Sequence, residues 1–514
     1  MVVRSASLIA SLFSCFLCAL TAWSEVSLPK MLSDHVVLQR DQPIHLWGSA
    51  APGEQVTIAL HDQKQSTTTT ALGQWSVFLM PEHAGGPYQL IVQGTNTITL
   101  SDVLIGDVWF ASGQSNMEMP LSGFPNAAVV KDSAEEIAHA NQPEIRLLHI
   151  PRKSSDYPLS EQDASWTACT PETAADFSAV GYFFGREIQQ REHVPIGLID
   201  STWGGTPAEA WISLDALASD ASLMPVFRVR AQRMENQASV SALVAQEKLE
   251  DAAAKQANLP RPKHPYRPAP ESWAPSGLFN GMVAPEIGFA IKGVIWYQGE
   301  SNSGAGLASM YSKVFPALIS NWRTKWGEGN FPFLFVQISS FHSPNETWGI
   351  VRDAQRRTLD LVNTGMAVTL DVGNAENVHP ADKQTVGHRL ALAARALVYG
   401  EPTEYSGPLF RQVTAEGNNL RVWFEHTTDG LSAKGGPLTG FEMAGADHHF
   451  EAATARIEGT TVLVTAPDVK LPVFVRYAWA NVPEANLYNG AGLPASTFTS
   501  ETEPAEPCTT GCGK

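Results

Sequence analysis

The sequence predicts an α/β protein, in which a doubly wound parallel sheet with helices on both faces is flanked by small β-modules. Between residues 97 and 405, short apolar runs alternate with segments of helical periodicity, as in strand–helix–strand units. On either side, short alternating runs are separated by Gly and Pro, which is typical of small antiparallel β-structures. A chain of 514 residues is also too long for one ordinary core.

Residues 1–24 have the pattern of a signal peptide. Arg4 precedes an apolar stretch, and Ala22-Trp23-Ser24 has the small-x-small pattern of a signal-peptidase site. We therefore expect cleavage after Ser24 and an exported protein, periplasmic or secreted. A lipoprotein signal at Cys15 is the alternative, and it fits less well because Phe13 occupies a position of the lipobox that disfavours it.

The sequence pattern of residues 25–96 predicts an N-terminal β-sandwich module. Turn-forming sequences such as Pro52-Gly53 and Gly85-Gly86-Pro87 separate its candidate strands. These strands are the short apolar or alternating runs at 36–39, 44–47, 56–60, 75–79 and 88–92.

Residues 97–405 predict the parallel sheet and its helices. Its candidate buried strands are the apolar runs at 108–110, 145–148, 196–200, 293–297, 333–337 and 366–370. Helical patterns lie at 177–190, 351–362 and 383–397, and a helix-prone insertion with an irregular loop spans about 214–274. Residues 406–500 predict a C-terminal β-module, and residues 501–514 a flexible tail.

Composition excludes several classes of partner. The formal net charge is −17, from 35 basic and 52 acidic residues, and no basic cluster occurs. Nucleic acids and anionic membrane surfaces are therefore not expected to bind. After residue 24, no segment approaches the roughly 20 apolar residues that span a bilayer, so no membrane span is expected.

No cofactor or metal is expected either. The chain contains no phosphate loop and no dinucleotide-binding fingerprint. Beyond residue 24, the cysteines are Cys169, Cys508 and Cys512, too few for a disulfide framework or a zinc site, although a local Cys508–Cys512 disulfide stays open. Asp447-His448-His449 has no helical spacing that would favour a metal site.

Four polar segments each follow a candidate strand, at 113–117, 200–211, 296–302 and 371–387. Since parallel strands bring their carboxyl ends to one sheet edge, we expect these segments to meet there. Ser115, a glycine amide, a side-chain amide and His379 would then supply a nucleophile, two oxyanion donors and a base. The α/β-hydrolase elbow is not the match, because Met117 stands where it needs a second glycine.

These segments resemble the sialate O-acetylesterase family of carbohydrate esterases, within the SGNH hydrolases. The motifs are GQSNM at 113–117, SxWGGTxxExW at 201–211, WYQGESN at 296–302 and HPxxKxxxGxRLA from His379 to Ala391. The end of the chain, RYAWANVPEANLYNGAGLPASTF at 476–498, is similar as well. The resemblance covers nearly the whole chain after residue 24 and implies an SGNH-hydrolase, flavodoxin-like sheet.

The resemblance implies that Ser115 is the nucleophile and His379 the general base. It implies an oxyanion hole of the Ser115 N–H, the Gly204 N–H and the Gln298 side chain, with Asn302 as the alternative amide. Glu300 would support the site without reacting.

The third member of a catalytic triad stays open. Glu376 lies three residues before His379, where the superfamily usually has aspartate. The alternatives are Asp371 and a Ser–His dyad in which a backbone carbonyl, and no carboxylate, orients the histidine.

The expected activity is hydrolysis of O-acetyl esters on carbohydrates, foremost O-acetylated sialic acid, through an acetyl-serine intermediate. Acetylxylan or another acetylated glycan is the alternative substrate. A catalytically inactive carbohydrate-binding protein is the alternative of a different class.

Overall fold

The computed structural model describes residues 25–504 apart from 126–127, 263, 265–266, 268, 305 and 344–346. The predicted signal peptide, Cys508 and Cys512 lie outside these described residues. Within the described ranges, no helix combines the length and the apolar character that crossing a bilayer requires.

The N-terminal part is built from short β-strands. They are β1 (Val37–Gln39), β2 (Ile44–Ser49), β3 (Gln55–Leu60), β4 (Gln63–Thr68), β5 (Gln74–Leu79) and β6 (Gly85–Gln93). β2 pairs with β5, whereas β3 pairs with both β4 and β6. Strand β4 has no counterpart among the predicted strands, because its residues QKQSTT are all polar. It forms by antiparallel pairing with β3.

One long strand, β7 (Thr97–Gly113), connects this part to the parallel sheet. Its first half pairs antiparallel with β6, and its second half pairs parallel with strands on both sides. From Val103 to Gly113 every residue of the strand is buried. The predicted boundary at 96/97 therefore falls at the start of a strand that belongs to both parts.

The parallel sheet continues with six further strands, and together with β7 they overlap all the predicted runs. They are β8 (Gln142–His149), β9 (Thr167–Cys169), β10 (Ile196–Thr202), β11 (Gly293–Tyr297), β12 (Phe333–Gln337) and β13 (Thr364–Val368). Their order is β13-β12-β11-β7-β10-β8, with β9 added antiparallel at the edge. Because β10 lies between β7 and β8, this order departs from the flavodoxin order 2-1-3-4-5 on one side of β7.

The helices of the described ranges include the predicted ones, with shifted ends in two of three. They are α1 (Ser115–Glu118), α2 (Ser133–Ala138), α3 (Pro171–Ala175), α4 (Ala179–Glu192), α5 (Leu214–Ser219), α6 (Pro225–Glu235), α7 (Gln237–Gln256), α8 (Tyr311–Trp326), α9 (Trp348–Arg357) and α10 (Lys383–Leu397). Short 3-10 or π segments lie at Ala208–Trp211, Ala221–Leu223, Pro270–Trp273, Phe279–Val283, Ala284–Glu286, Glu300–Asn302, Thr358–Asp360 and Leu370–Val372. The helices α5 to α7 lie in the predicted insertion.

Helices cover both faces of the sheet, as adjacent residues of β7 demonstrate. The Trp109 ring meets Phe184 of α4 edge-on, with 4.9 Å between centroids. The Phe110 ring points to the other face and meets Trp322 of α8, with centroids 5.6 Å apart. Both β7 side chains are fully buried, and alternation along the strand therefore places each against a different helix layer.

Antiparallel strands form the C-terminal part, as predicted from its short runs. They are β14 (Leu409–Glu416), β15 (Asn419–Glu425), β16 (Leu431–Ala433), β17 (Phe441–Ala444), β18 (Glu451–Ala452), β19 (Thr454–Glu458), β20 (Thr461–Thr465), β21 (Phe474–Tyr477), β22 (Leu487–Asn489) and β23 (Phe498–Thr499). They form the sheets β14-β15-β20-β19 and β18-β17-β21-β23 and the pair β16-β22. A buried guanidinium, Arg352 of α9, joins this part to the parallel sheet by donating to the carbonyls of Ala478, Ala480 and Asn481.

One buried carboxyl should make the stability of this fold depend on pH. Glu286 is 2% exposed, lies beside Met31 and Gln162, and has an Oε2 atom without a hydrogen-bond partner in the described residues. Burial raises the pKa of Glu286 to about 8, so the folded protein keeps a proton that the unfolded chain releases near pH ~4.3. The free energy of unfolding should therefore fall as the pH rises from ~4.3 to about 8, by a few kcal/mol in total (roughly 1.4 per pH unit).

We expect Glu286→Gln to remove this loss of stability at higher pH. Thermal unfolding of the variant should match the wild type near pH ~4 and exceed it near pH ~8.5. Glu425→Gln, which changes an exposed carboxyl, should leave the wild-type pH dependence intact. Equal pH dependence in Glu286→Gln and the wild type would contradict the assignment.

Candidate active site

The strand ends that carry the polar segments are aligned in the sheet. Gly113, the last residue of β7, is in register with Thr202 of β10 and with Tyr297 of β11. Since β10 and β11 lie on opposite sides of β7, this edge is the point where the chain reverses its direction of winding. Such a reversal leaves a crevice at the carboxyl ends of the strands, and Ser115 lies there.

Gly113 lets the chain turn tightly before Ser115. Its φ is +134°, and a Cβ atom at this position would lie 2.2 Å from the carbonyl oxygen of Tyr297. The next residue is bonded to the same segment: the Gln114 N–H donates to Tyr297 O at 3.0 Å. Gln114 Oε1 accepts from the Ser301 N–H at 3.1 Å. The first and third predicted segments are thus bonded together.

Ser115 begins helix α1, is half-buried and lies against Gly204. A Cβ atom on Gly204 would lie 3.2 Å from Ser115 Cβ and 2.6 Å from Glu118 Oε2. Glu118 is itself ion-paired with Arg152. The second segment therefore approaches the serine closely because position 204 has no side chain.

His379 lies between β13 and α10, with its ring edge-on to Phe124 at 5.1 Å between centroids. Its Nε2 atom is buried and has no hydrogen-bond partner in the described residues. Burial, followed by the positive charge of Lys383, lowers the pKa of His379 to about 4. The imidazole is therefore neutral at pH ~7 and can accept a proton.

A hydrogen bond joins the serine and histidine segments. Asn116 Nδ2, one residue after Ser115, donates to the carbonyl of Val378, one residue before His379, at 2.9 Å. Among the described residues, neither the Ser115 hydroxyl nor the His379 ring is itself hydrogen-bonded. Hydrogen bonds between nucleophile and base are commonly loose in unliganded sites and tighten with substrate.

The hydrogen bonds of Gln298 differ from the oxyanion-hole role that the resemblance implies. Its side chain is fully buried, and Nε2 donates to Thr206 O at 3.1 Å and to Asn302 Oδ1 at 2.7 Å. Its Oε1 accepts from the Tyr311 hydroxyl at 3.0 Å. These bonds connect the second and third segments. Because both amide hydrogens of Gln298 already have acceptors, neither is available to donate to an oxyanion.

Asn302, the alternative amide, is also an interior brace. It is fully buried, donates to Glu209 Oε2 at 2.9 Å and accepts from the Ala208 N–H at 2.9 Å. Burial raises the pKa of Glu209, an effect that the hydrogen bond from Asn302 opposes.

The structure does not bring Glu376 to His379. The Glu376 side chain is 86% exposed and faces His342, with 3.7 Å between Oε1 and Nε2. The reason is a local turn: Asn374 Oδ1 accepts from the N–H groups of Glu376 and Asn377, which directs Glu376 outward. No hydrogen bond or ion pair connects it with His379 among the described residues.

Asp371 is paired with Arg389. Its two carboxylate oxygens accept from the Arg389 guanidinium at 2.6 and 2.8 Å. This bidentate pair ties the end of β13 to α10, and it gives Asp371 no bond to the imidazole.

Glu300 lies beside Asn116, and its Oε1 accepts from Asn116 Nδ2 at 2.6 Å. Lys383 is fully buried and donates from Nζ to Asn116 Oδ1, also at 2.6 Å. The supporting role predicted for Glu300 fits these contacts, whereas no role was predicted for Asn116 or Lys383. The available signals were the position of Asn116 next to the serine and of Lys383 four residues after His379.

The described part of the chain holds no group of three or more His, Cys, Asp or Glu side chains that could bind a metal. In the Asp447-His448-His449 sequence, His448 pairs with Glu501 at 2.7 Å and His449 with Glu451 at 3.1 Å.

Known proteins resemble this chain along most of its length. A family model described as carbohydrate esterase, sialic acid-specific acetylesterase, matches residues 271–396. The sialate O-acetylesterase of Homo sapiens is 32% identical over 91% of this chain and 91% of its own. That of Mus musculus is 30% identical over 91% of this chain and 93% of its own.

A solved structure is similar as well. It is the crystal structure of a carbohydrate acetylesterase from Xanthomonas citri, 37% identical in sequence, with a TM-score of 0.80. The match covers 93% of this chain and 100% of that one.

Proposed function

We propose that this chain, which belongs to the sialate O-acetylesterase family, hydrolyses O-acetyl esters on carbohydrates with Ser115 as its nucleophile. The observation that carries the proposal is the position of Ser115 at the reversal point of the sheet. There it lies against Gly204, and the Asn116–Val378 hydrogen bond holds the His379 segment to it. We assign the sheet to the SGNH-hydrolase type, with the serine near its start and the histidine near its end.

In the proposed reaction, Ser115 Oγ attacks the acetyl carbonyl while its proton passes to His379. The N–H groups of Ser115 and Gly204 stabilise the oxyanion, and each such donor typically contributes ~10²–10³ in rate. His379 then gives its proton to the departing sugar oxygen, which leaves acetyl-Ser115. Water, deprotonated by His379, attacks this ester and releases acetate, and the same proton returns to Ser115.

We infer a Ser–His dyad, because Glu376 and Asp371 have the other partners described above. Glu376→Ala should lower kcat/KM for 4-nitrophenyl acetate less than about threefold, whereas loss of a triad carboxylate typically costs ~10⁴. Asp371→Asn, which keeps an acceptor for Arg389, should also stay within about threefold. A loss of ~10²-fold or more in either variant would restore that carboxylate to a triad.

We propose O-acetylated sialic acid as the principal substrate, supported by the names of the relatives that cover nine-tenths of the chain. Acetate release should be measured side by side from 9-O-acetylated sialic acid and from acetylxylan. The expected result is faster release, per enzyme, from the sialic acid. Release from acetylxylan alone would assign the enzyme to other glycans, and glycan binding without any release would favour an inactive binding protein.

We also propose that the chain is exported. This proposal rests on residues 1–24 alone. N-terminal sequencing of the protein recovered from its native host should begin at Glu25, and an N-terminus at residue 1 would contradict export by cleavage.

A further inference from the structure

A buried cluster of polar side chains connects three of the four segments that form the site. Its centre is Asn116, which is fully buried. Asn116 donates to Glu300 Oε1 at 2.6 Å and to Val378 O at 2.9 Å, and accepts from Lys383 Nζ at 2.6 Å. These bonds reach the loop after β11, the loop before His379 and the first turn of α10.

The charges on either side of Asn116 fix the orientation of its amide. The carboxylate of Glu300 faces the amide N–H groups, and the ammonium of Lys383 faces the amide oxygen. A rotated amide would place its oxygen against a carboxylate and its N–H groups against an ammonium, which is unfavourable in a buried site. The second N–H of Asn116 is therefore directed at the Val378 carbonyl.

Glu300 and Lys383 also depend on each other. Glu300 Oε2 is buried without a hydrogen-bond partner in the described residues, and burial raises the pKa of Glu300 while Asn116 and Lys383 oppose this rise. Burial lowers the pKa of Lys383 to about 7, which Glu300 opposes. Asn116 bridges the two side chains, and each opposite charge offsets part of the cost of burying the other.

We propose that Asn116, Glu300 and Lys383 form a positioning unit that holds His379 to the nucleophile segment, the orienting role that a carboxylate has in a Ser–His–Asp triad. The inference rests on the proposed function, in which Ser115 and His379 react. Asn116 supplies the position, by its bond to the residue before His379. Lys383 supplies an electrostatic effect, because its positive charge adds to burial in disfavouring the imidazolium of His379.

The titratable groups that face this unit come from three elements. Lys383 lies on α10, Glu300 follows β11, and Tyr297 ends β11 with its ring centroid 5.5 Å from Lys383 Nζ. Burial raises the pKa of Tyr297, so its hydroxyl is neutral at the pH of the assay. Among these groups, Lys383 is the one whose charge lowers the pKa of His379, so its removal should change the titration of His379.

The test measures kcat, KM and the acid limb of the pH–rate profile for acetate release from 4-nitrophenyl acetate. Asn116→Ala should lower kcat by about 10²-fold with little change in KM, because a small displacement of the base has effects of this size. Lys383→Met should move the midpoint of the acid limb upward by about one pH unit. A purely structural role would not move that midpoint.

Asn321→Ala is the matched control, since Asn321 is a buried amide that bonds Ser213 away from the site. Its kcat should stay within about twofold of the wild type. The proposal is overturned if Asn116→Ala behaves like Asn321→Ala, or if Lys383→Met keeps the wild-type midpoint. Ser115→Ala separates failure of the proposed function from failure of the positioning role. If this variant retains turnover, the proposed function fails, and the positioning role fails with it.

Discussion

Replacing Ser115 by alanine should lower kcat/KM for acetate release by at least ~10⁴-fold. The hydroxyl is the only atom group removed, so binding contacts and oxyanion donors stay in place and leave a residual rate above that of water. The measurement is kcat/KM on 9-O-acetylated sialic acid and on 4-nitrophenyl acetate, with circular dichroism to verify folding.

Ser122→Ala is the matched control for this variant. Ser122 follows the same short helix and is exposed, so its loss should leave kcat/KM within about twofold. If the Ser115 variant keeps more than about one hundredth of the wild-type rate, another group must be the nucleophile.

Replacing His379 by alanine should lower kcat by about 10⁴-fold, because a serine without an adjacent base is a weak nucleophile. In the wild type, the pKa of His379 near 4 places the acid limb of the pH–rate profile near pH ~4. Below that midpoint the protonated ring cannot accept the serine proton, and above it the rate should be constant to about pH 7.

His388→Ala is the matched control for His379→Ala, because it removes a histidine that lies nearby on α10. This side chain is half exposed and pairs with Glu187 at 2.7 Å, so its removal should leave both the rate and the acid limb unchanged. An acid limb near the ordinary histidine value of ~6.5 would mean that the imidazole is not buried beside Lys383.

The strands around Ser115 could be predicted because local patterns specify them. The apolar run at 108–110 lies inside β7, and the run at 293–297 coincides with β11. Parallel-sheet geometry then places Ser115, Gly204 and the residues after Tyr297 at one edge without further knowledge.

Side-chain hydrogen bonds between distant segments could not be predicted. Gln298 follows a strand in the way that an oxyanion donor would, yet its acceptors Thr206 and Asn302 are set by tertiary packing. The spacing of Glu376 to His379 suggested a triad, but the bonds made by Asn374 turn Glu376 to solvent. Strand β4 has no apolar pattern and depends on its partner β3.

Covalent labelling of the nucleophile tests the central claim most directly. A fluorophosphonate forms a stable adduct with a serine that an adjacent base activates, and peptide mapping by mass spectrometry locates the adduct. We expect one label per chain, on Ser115, formed in parallel with the loss of acetate release and absent from Ser115→Ala. Inactivation with the label on a different residue, or labelled Ser115 with activity intact, would contradict the proposed mechanism.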